Sequence, residues 1–132
     1  MQKVYTYETY LDAEVQPVLS VEKCQEILGE IIESINTQDE DLMEIWEEVL
    51  GKCFRYQKMR MDWSLYSREE KMEKDSLRTS YHDSVIIGFN MLSRYMDQQD
   101  ISISWREKLG ENRKCIGDFA CYVGFVYAIN NR

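Results

Sequence analysis

One stretch of this 132-residue chain combines residue types and spacing that could do chemistry: Arg78-Thr79-Ser80-Tyr81-His82-Asp83. It contains the chain's only histidine, followed by a carboxylate and preceded, one helical turn earlier, by an arginine. At 100° per residue, Arg78 and His82 fall on the same side as the apolar Val85, Phe89, Leu92 and Met96. Thr79, Asp83, Asn90 and Arg94 form a separate narrow polar stripe. A histidine poised by a carboxylate can exchange protons near neutral pH. His82, Asp83 and Arg78 are therefore the candidate catalytic groups, those of a hydrolase. A satisfied structural network explains the same residues, with Arg78 bridging carboxylates or helix-end carbonyls and His82 bonding across helices. Such networks bury ionisable groups as readily as active sites do. The structural reading is the stronger, and the enzyme question stays open but weighted towards no.

Metal chemistry lacks ligands. Phosphohydrolases built on histidine–aspartate pairs, zinc sites of usual composition and di-iron bundles with paired Glu-x-x-His each need several histidines. Glu44-x-x-Glu47 and Glu70-x-x-Glu73 resemble the paired carboxylates that hold Mg²⁺ in all-α nucleotide pyrophosphohydrolases. That family's second pair ends in Asp, however, and these four glutamates lie opposite apolar stripes or in an acidic first turn, as a solvated face would. No Gly-rich phosphate loop, G-x-S-x-G elbow or supported Cys–His pair is present. No metal and no cofactor is expected. Cys24, Cys53, Cys115 and Cys121 form no C-x-x-C pair, and the first three read as small hydrophobes in helical patterns.

Helices must position these groups. Six glycines and a single proline are too few for a β-sandwich or barrel of this length. Ser20 is a plausible N-cap for a first helix whose apolar stripe runs Val21, Cys24, Ile27, Leu28, Ile31, Ile32, Ile35, ending at Asn36-Thr37. A second helix starts near Asp39, with an acidic first turn, and continues past Gly51 towards Trp63 and Tyr66. Ser67 and Glu70 have capping-box spacing for a third helix running to about Asp97. Its second half, Val85 to Leu92, is apolar almost all round and should be central. Ser104 and Glu107 repeat the capping-box spacing ahead of a short helix to Leu109, and a last helix spans about Asn112 to Asn130. The expected fold is all-α: a compact bundle of four to five helices with a long central helix, in a single domain covering residues 1–132. Residues 1–19, with Tyr5, Tyr7, Tyr10 and the helix-breaking Pro17, read as an arm or a short first helix.

The last helix carries small residues at Gly117, Cys121, Gly124 and Ala128, a row that lets another helix approach closely. Ile116, Phe119, Ala120, Val123, Val126 and Tyr127 are ordinary core, while Tyr122, Phe125 and Ile129 occupy most of the remaining side. Either this helix is central in the bundle, or its aromatic side meets a second subunit. A homodimer through Gly117, Cys121, Tyr122, Gly124, Phe125 and Ile129 is placed slightly ahead. The net charge of −8, from 24 acidic and 16 basic residues, argues against direct binding of nucleic acid or anionic membranes. It permits an acidic decoy that inhibits a nucleic-acid-binding protein. No signal-peptide pattern is read in residues 1–11, and the apolar run from Cys115 to Ile129 is shorter than the ~20 residues of a membrane helix. A cytoplasmic protein with free thiols is expected.

Two stretches carry a family likeness: Arg78-Thr79-x-x-His82-Asp83-x-x-Ile86 with Asn90, Leu92 and Arg94 following, and Asn112-Arg113-Lys114-x-Ile116-Gly117-Asp118-Phe119-Ala120 before Asn131-Arg132. Together they resemble a family of small helical proteins of Firmicutes and their mobile elements, a domain of unknown function. The resemblance covers about residues 75–132. It implies no activity, but it does imply that Arg78, His82, Asp83, Asn90, Arg113 and Asp118 form one buried polar network, with Arg113 or Arg78 pairing Asp118. The leading expectation is a non-enzymatic helical protein acting through protein–protein contacts, with the decoy and the hydrolase as alternatives.

Overall fold

Three helix starts follow the capping chemistry of the sequence in the computed structural model, which describes residues 18–130. Helix α1 spans Val21–Ser34, and the Ser20 side chain accepts from the Lys23 N–H. Helix α2 spans Glu40–Asp62, capped by Asp39, whose side chain accepts from the Leu42 N–H. A 3₁₀ turn, Trp63–Leu65, follows it. Helix α3, Arg68–Gln98, opens with a full capping box in which Ser67 and Glu70 satisfy each other's backbone N–H groups. Helix α4 is Ser104–Leu109 and α5 is Arg113–Asn130. Among the described residues the fold is all-α, a compact bundle of five helices with a long central helix. The arm or short helix expected over residues 1–19 lies, apart from Val18 and Leu19, outside the described residues, as do Asn131 and Arg132.

The expected cap at Ser104 does not form. Ile103 occupies the cap position without a side-chain bond, and the Ser104 hydroxyl donates to Glu30 Oε1 of α1 at 2.8 Å. A tertiary partner has displaced the local one. Helix α3 ends with Asp100 at φ 59°, where the Ile101 N–H reaches back to the Met96 carbonyl at 2.9 Å. That reversal usually employs glycine.

One apolar core runs through all five helices. It includes Ile27 and Ile31 of α1, Leu42, Val49 and Cys53 of α2, Val85, Phe89, Leu92 and Met96 of α3, Trp105 of α4 and Phe119 of α5. The second half of α3 is less enclosed than its composition suggests, because Ile87 and Met91 are exposed. Ile32, expected on the α1 stripe, is 56% exposed. Helix α2 packs closely against both α3 and α5.

The small-residue stripe of α5 is used inside the chain. A methyl group at Gly124 would lie 2.6 Å from Gln57 Cβ and 2.7 Å from the Cys53 carbonyl oxygen, and one at Gly117 would lie 2.9 Å from the Tyr56 hydroxyl. Gly124 therefore lets α5 lie directly on the backbone of α2, while Gly117 makes room for the Tyr56 hydroxyl and the His82 ring. Gly117, Cys121, Gly124 and Phe125 are buried in one chain and Tyr122 is half-buried; only Ile129 is exposed. Of the six residues expected at a homodimer interface, Gly117 and Gly124 are thus closely covered within the chain, while Tyr122 and Ile129 keep accessible surface.

Two glycine substitutions should move stability in opposite directions. Gly124→Ala forces an added carbon against main chain and should cost about 1–3 kcal/mol, despite its better helix propensity. Gly29→Ala in the middle of α1 meets nothing within 4 Å and should stabilise by ~0.5–1 kcal/mol. Urea unfolding of the two variants against the parent checks both signs.

Candidate functional site

The expected single network is divided among the described residues into separate groups. His82, Asp83 and Arg113 form one of them. The Arg113 carbonyl oxygen lies 2.9 Å from His82 Nε2. A carbonyl can only accept, so Nε2 carries the ring proton and Nδ1 is the acceptor for Arg113 Nη2 at 3.1 Å. The same Nη2 donates to Asp83 Oδ1 at 2.6 Å. Arg113 thus grips the ring at both nitrogens, and Asp83 steadies the guanidinium without touching the histidine. The Tyr56 ring meets the imidazole edge-on, with centroids 5.3 Å apart. Asp83 and Arg113 are exposed rather than buried.

Asp118 belongs to a second group, and neither Arg113 nor Arg78 is its partner. Its side chain is 1% exposed and pairs with Arg60 of α2 at 3.0 Å. Its other oxygen accepts from the backbone N–H groups of Val18 and Leu19, at 2.7 and 3.2 Å. Asp118 therefore fixes the chain leading into α1 against the start of α5. Asn90 stands in a third group, accepting from Arg106 Nε at 3.1 Å. Arg106 is buried and also donates to the Gly110 carbonyl at 2.7 Å. Arg78 is in none of the three. It pairs with Asp75 at 2.9 Å, and its guanidinium lies 4.2 Å above the Trp63 ring. The first turns of α3 extend past the core, so the "apolar side" on which the helical wheel places Arg78 has only Trp63 to meet it.

The sequence reading missed Arg60 and Arg106. The signal for Arg60 was present: it continues the buried steps Cys53, Tyr56 by one more turn, so it stands at the foot of an apolar stripe. Arg106 sits between Trp105 and Leu109 and had no comparable signature.

The first two groups and Arg78, but not the Asn90–Arg106 group, border a recess of about 350 Å³, walled by Tyr56, Arg60 and Trp63 on one side and by Arg78, Thr79, His82, Arg113 and Lys114 on the other. Burial, with the Arg113 and Arg60 charges adding to it, holds the His82 pKa below its ordinary 6.5, against the opposing pull of the Arg113 carbonyl and Asp83. The Tyr56 hydroxyl is pushed up to about 12, chiefly by burial. Two of the buried thiols are poor nucleophiles: Cys24 is pushed up to about 12 and Cys53 is raised as well, both chiefly by desolvation. Glu44 and Glu47 lie on the exposed side of α2, and Glu70 is committed to its cap. Among the described residues, no group of three or more His, Cys, Asp or Glu side chains could hold a metal ion. No helix of the described residues is long and apolar enough to cross a membrane. No family model, curated protein or solved structure matches the chain.

Two consequences can be measured. Asp118→Asn leaves Arg60 without its buried counter-charge and should cost about 3 kcal/mol in urea unfolding, whereas Arg78→Gln at an exposed pair should cost less than ~1 kcal/mol. Secondly, a histidine whose folded pKa lies below its unfolded value favours folding in its neutral form. Its contribution is fully present above pH 6.5 and is lost as pH falls through the lowered folded value. The parent should therefore lose stability on acidification across that window by more than His82→Gln does, as thermal unfolding at a series of pH values would record.

Proposed function

We propose that this is a non-enzymatic helical protein that acts through protein–protein contact, and that its contact surface is the apolar groove between α1, α2 and α5. The single observation that carries this reading is the groove itself. It encloses about 560 Å³, and Leu28, Ile32, Met43, Trp46, Leu50 and Val126 supply most of its apolar wall. Exposed apolar surface gathered in a groove marks a contact site more often than scattered residues do.

Charge selects the occupant. Glu40, Glu44 and Glu47 recur at helical spacing along the side of α2 that borders the groove, all three are exposed, and among the described residues no lysine or arginine lines it. The occupant this favours is an amphipathic helix with basic flanks, laid with its apolar side inwards. A second copy of the chain would bring one acidic row against another, so a heterologous partner is preferred to the homodimer. The state of His82 supports a non-enzymatic role: both ring nitrogens are engaged by Arg113, and among the described residues no carboxylate bonds to the ring to drive proton transfer. The acidic decoy is less well supported, because several of its carboxylates are already neutralised, Glu26 and Glu30 by Lys108 and Glu48 by Lys52. The family likeness in the second half of the chain supplies no activity, so the reading rests on this surface.

Fluorescence anisotropy of a labelled leucine–lysine amphipathic peptide provides the test. Saturable binding is expected, with a leucine–glutamate peptide of the same pattern failing to bind. Ile32→Glu, which inserts a like charge without emptying the core, should weaken it at least ~10-fold, while Met72→Glu on exposed α3 should not. Equal binding by both variants would sink the groove. A dimer seen by light scattering and dissolved by Ile32→Glu would replace the heterologous partner with a second copy.

A further inference from the structure

We propose that the recess where α2, α3 and the start of α5 meet is a binding site for a small phosphate-bearing molecule. Among the described residues, five basic side chains line it, Arg60, Arg78, His82, Arg113 and Lys114, and no carboxylate does. They converge from three helices in a protein of net charge −8. An acidic chain that brings three arginines and a lysine to one concavity, with no carboxylate among the described residues of its lining, has a local positive field there.

Neighbouring acids do not exhaust that field. Arg60 is tied to Asp118, Arg78 to Asp75 through one terminal nitrogen, and Arg113 to Asp83 through another. Each guanidinium carries five N–H donors, so a single carboxylate oxygen leaves Arg78 and Arg113 with donors to offer. Lys114 pairs with no carboxylate among the described residues. The Trp63 ring supports the flat face of Arg78, which orders the guanidinium before a ligand arrives.

Helix α5 carries Arg113 and no acidic residue in its first turn, a cation at the positive end of the dipole, where carboxylates are favoured. That placement is unfavourable in the empty recess and becomes favourable with an anion between the side chains.

Donors aimed from several directions suit a tetrahedral oxyanion better than a flat carboxylate. A volume of about 350 Å³ exceeds the needs of bare phosphate and leaves room for an organic portion against Tyr56 and Trp63. A long polyanion is disfavoured, because the acidic exterior would repel its flanking phosphates.

His82 gives a direct readout. It is the only histidine, so its Cε1 proton is a single resonance in the NMR spectrum. Tyr56 and Arg60 of α2, Arg78 and Asp83 of α3, and Arg113 and Lys114 of α5 surround it. An anion among these cations should shift the resonance saturably and raise the pH at which it titrates. The probes are inorganic phosphate and pyrophosphate, titrated against sodium chloride at matched ionic strength. Half-saturation below ~10 mM is expected, tighter for pyrophosphate. The Arg78→Gln/Lys114→Gln double variant should weaken binding at least ~10-fold with an unchanged thermal unfolding curve. Should the double variant unfold, each single variant should weaken binding ~3-fold. A shift that follows ionic strength whatever the anion, saturation that survives both substitutions, or no saturation by ~50 mM would overturn the site.

Discussion

The closeness of α5 to α2 is the constraint on which the rest of the molecule depends. At Gly124 the two helices meet with no room for even a methyl group between the Gly124 backbone and the Cys53 carbonyl. At Gly117, about two turns earlier, the hydroxyl of Tyr56 and the ring of His82 fill the space a side chain would take. Helix α5 therefore lies where α2 puts it, and its first turn is delivered to the foot of α2 and the flank of α3. Only from there can the Arg113 carbonyl meet His82 Nε2 and Asp118 meet Arg60. A bulkier stripe would lift α5 away and separate all of these partners together.

Asp118 then converts a packed interface into a specified one. A buried carboxylate is costly unless all its acceptor positions are used. Here one oxygen takes a guanidinium and the other takes two backbone N–H groups. Those backbone groups precede α1, so one side chain joins three parts of the chain that are remote in sequence. Apolar packing alone would tolerate sliding of α5 along α2. The ion pair, with Cys121 Sγ also 3.6 Å from Arg60 Nη1, has one register in which it is satisfied.

Elements governed by local physics were legible in the sequence. Ser20, Asp39 and Ser67 cap helices because their side chains find backbone N–H groups two or three residues ahead, whatever the rest of the fold does. Ser104 has the same spacing and fails, since Glu30 on another helix offers its hydroxyl a stronger partner. The polar residues were legible as individuals and not as partners. A helical wheel correctly brings Arg78 and His82 to one side but cannot reveal that the core ends between them, leaving Arg78 beside Trp63 and His82 beside Arg113. Arg60 escaped notice because an arginine on an apolar stripe reads as a surface residue, although its stem can pack along a buried face while its head finds Asp118. The glycine stripe showed that some helix must come close, and it carried no information on which one. Whether a small-residue row faces a neighbour in the chain or a second subunit depends on how many helices the fold has left to cover it, a property of the whole bundle.

The two surface features also divide the charge between them. Acidic residues border the apolar groove along the N-terminal half of α2, whereas basic residues gather at the recess beyond the C-terminal half of the same helix. The linings of the two regions along α2, residues 43–50 and 56–63, are centred roughly 20 Å apart along the helix axis, a little over two Debye lengths at physiological salt. Their fields therefore act independently in solution, and any coupling between them must pass through the helix and its packing. Arg60 and Tyr56 line the recess, while Trp46 and Leu50 line the groove two to three turns earlier on the same rod. A rigid α2, clamped by α3 on one side and by the glycine faces of α5 on the other, holds both surfaces in fixed relation. The close packing of Gly117 and Gly124 is thus also what keeps an acidic groove and a basic recess apart on one small protein.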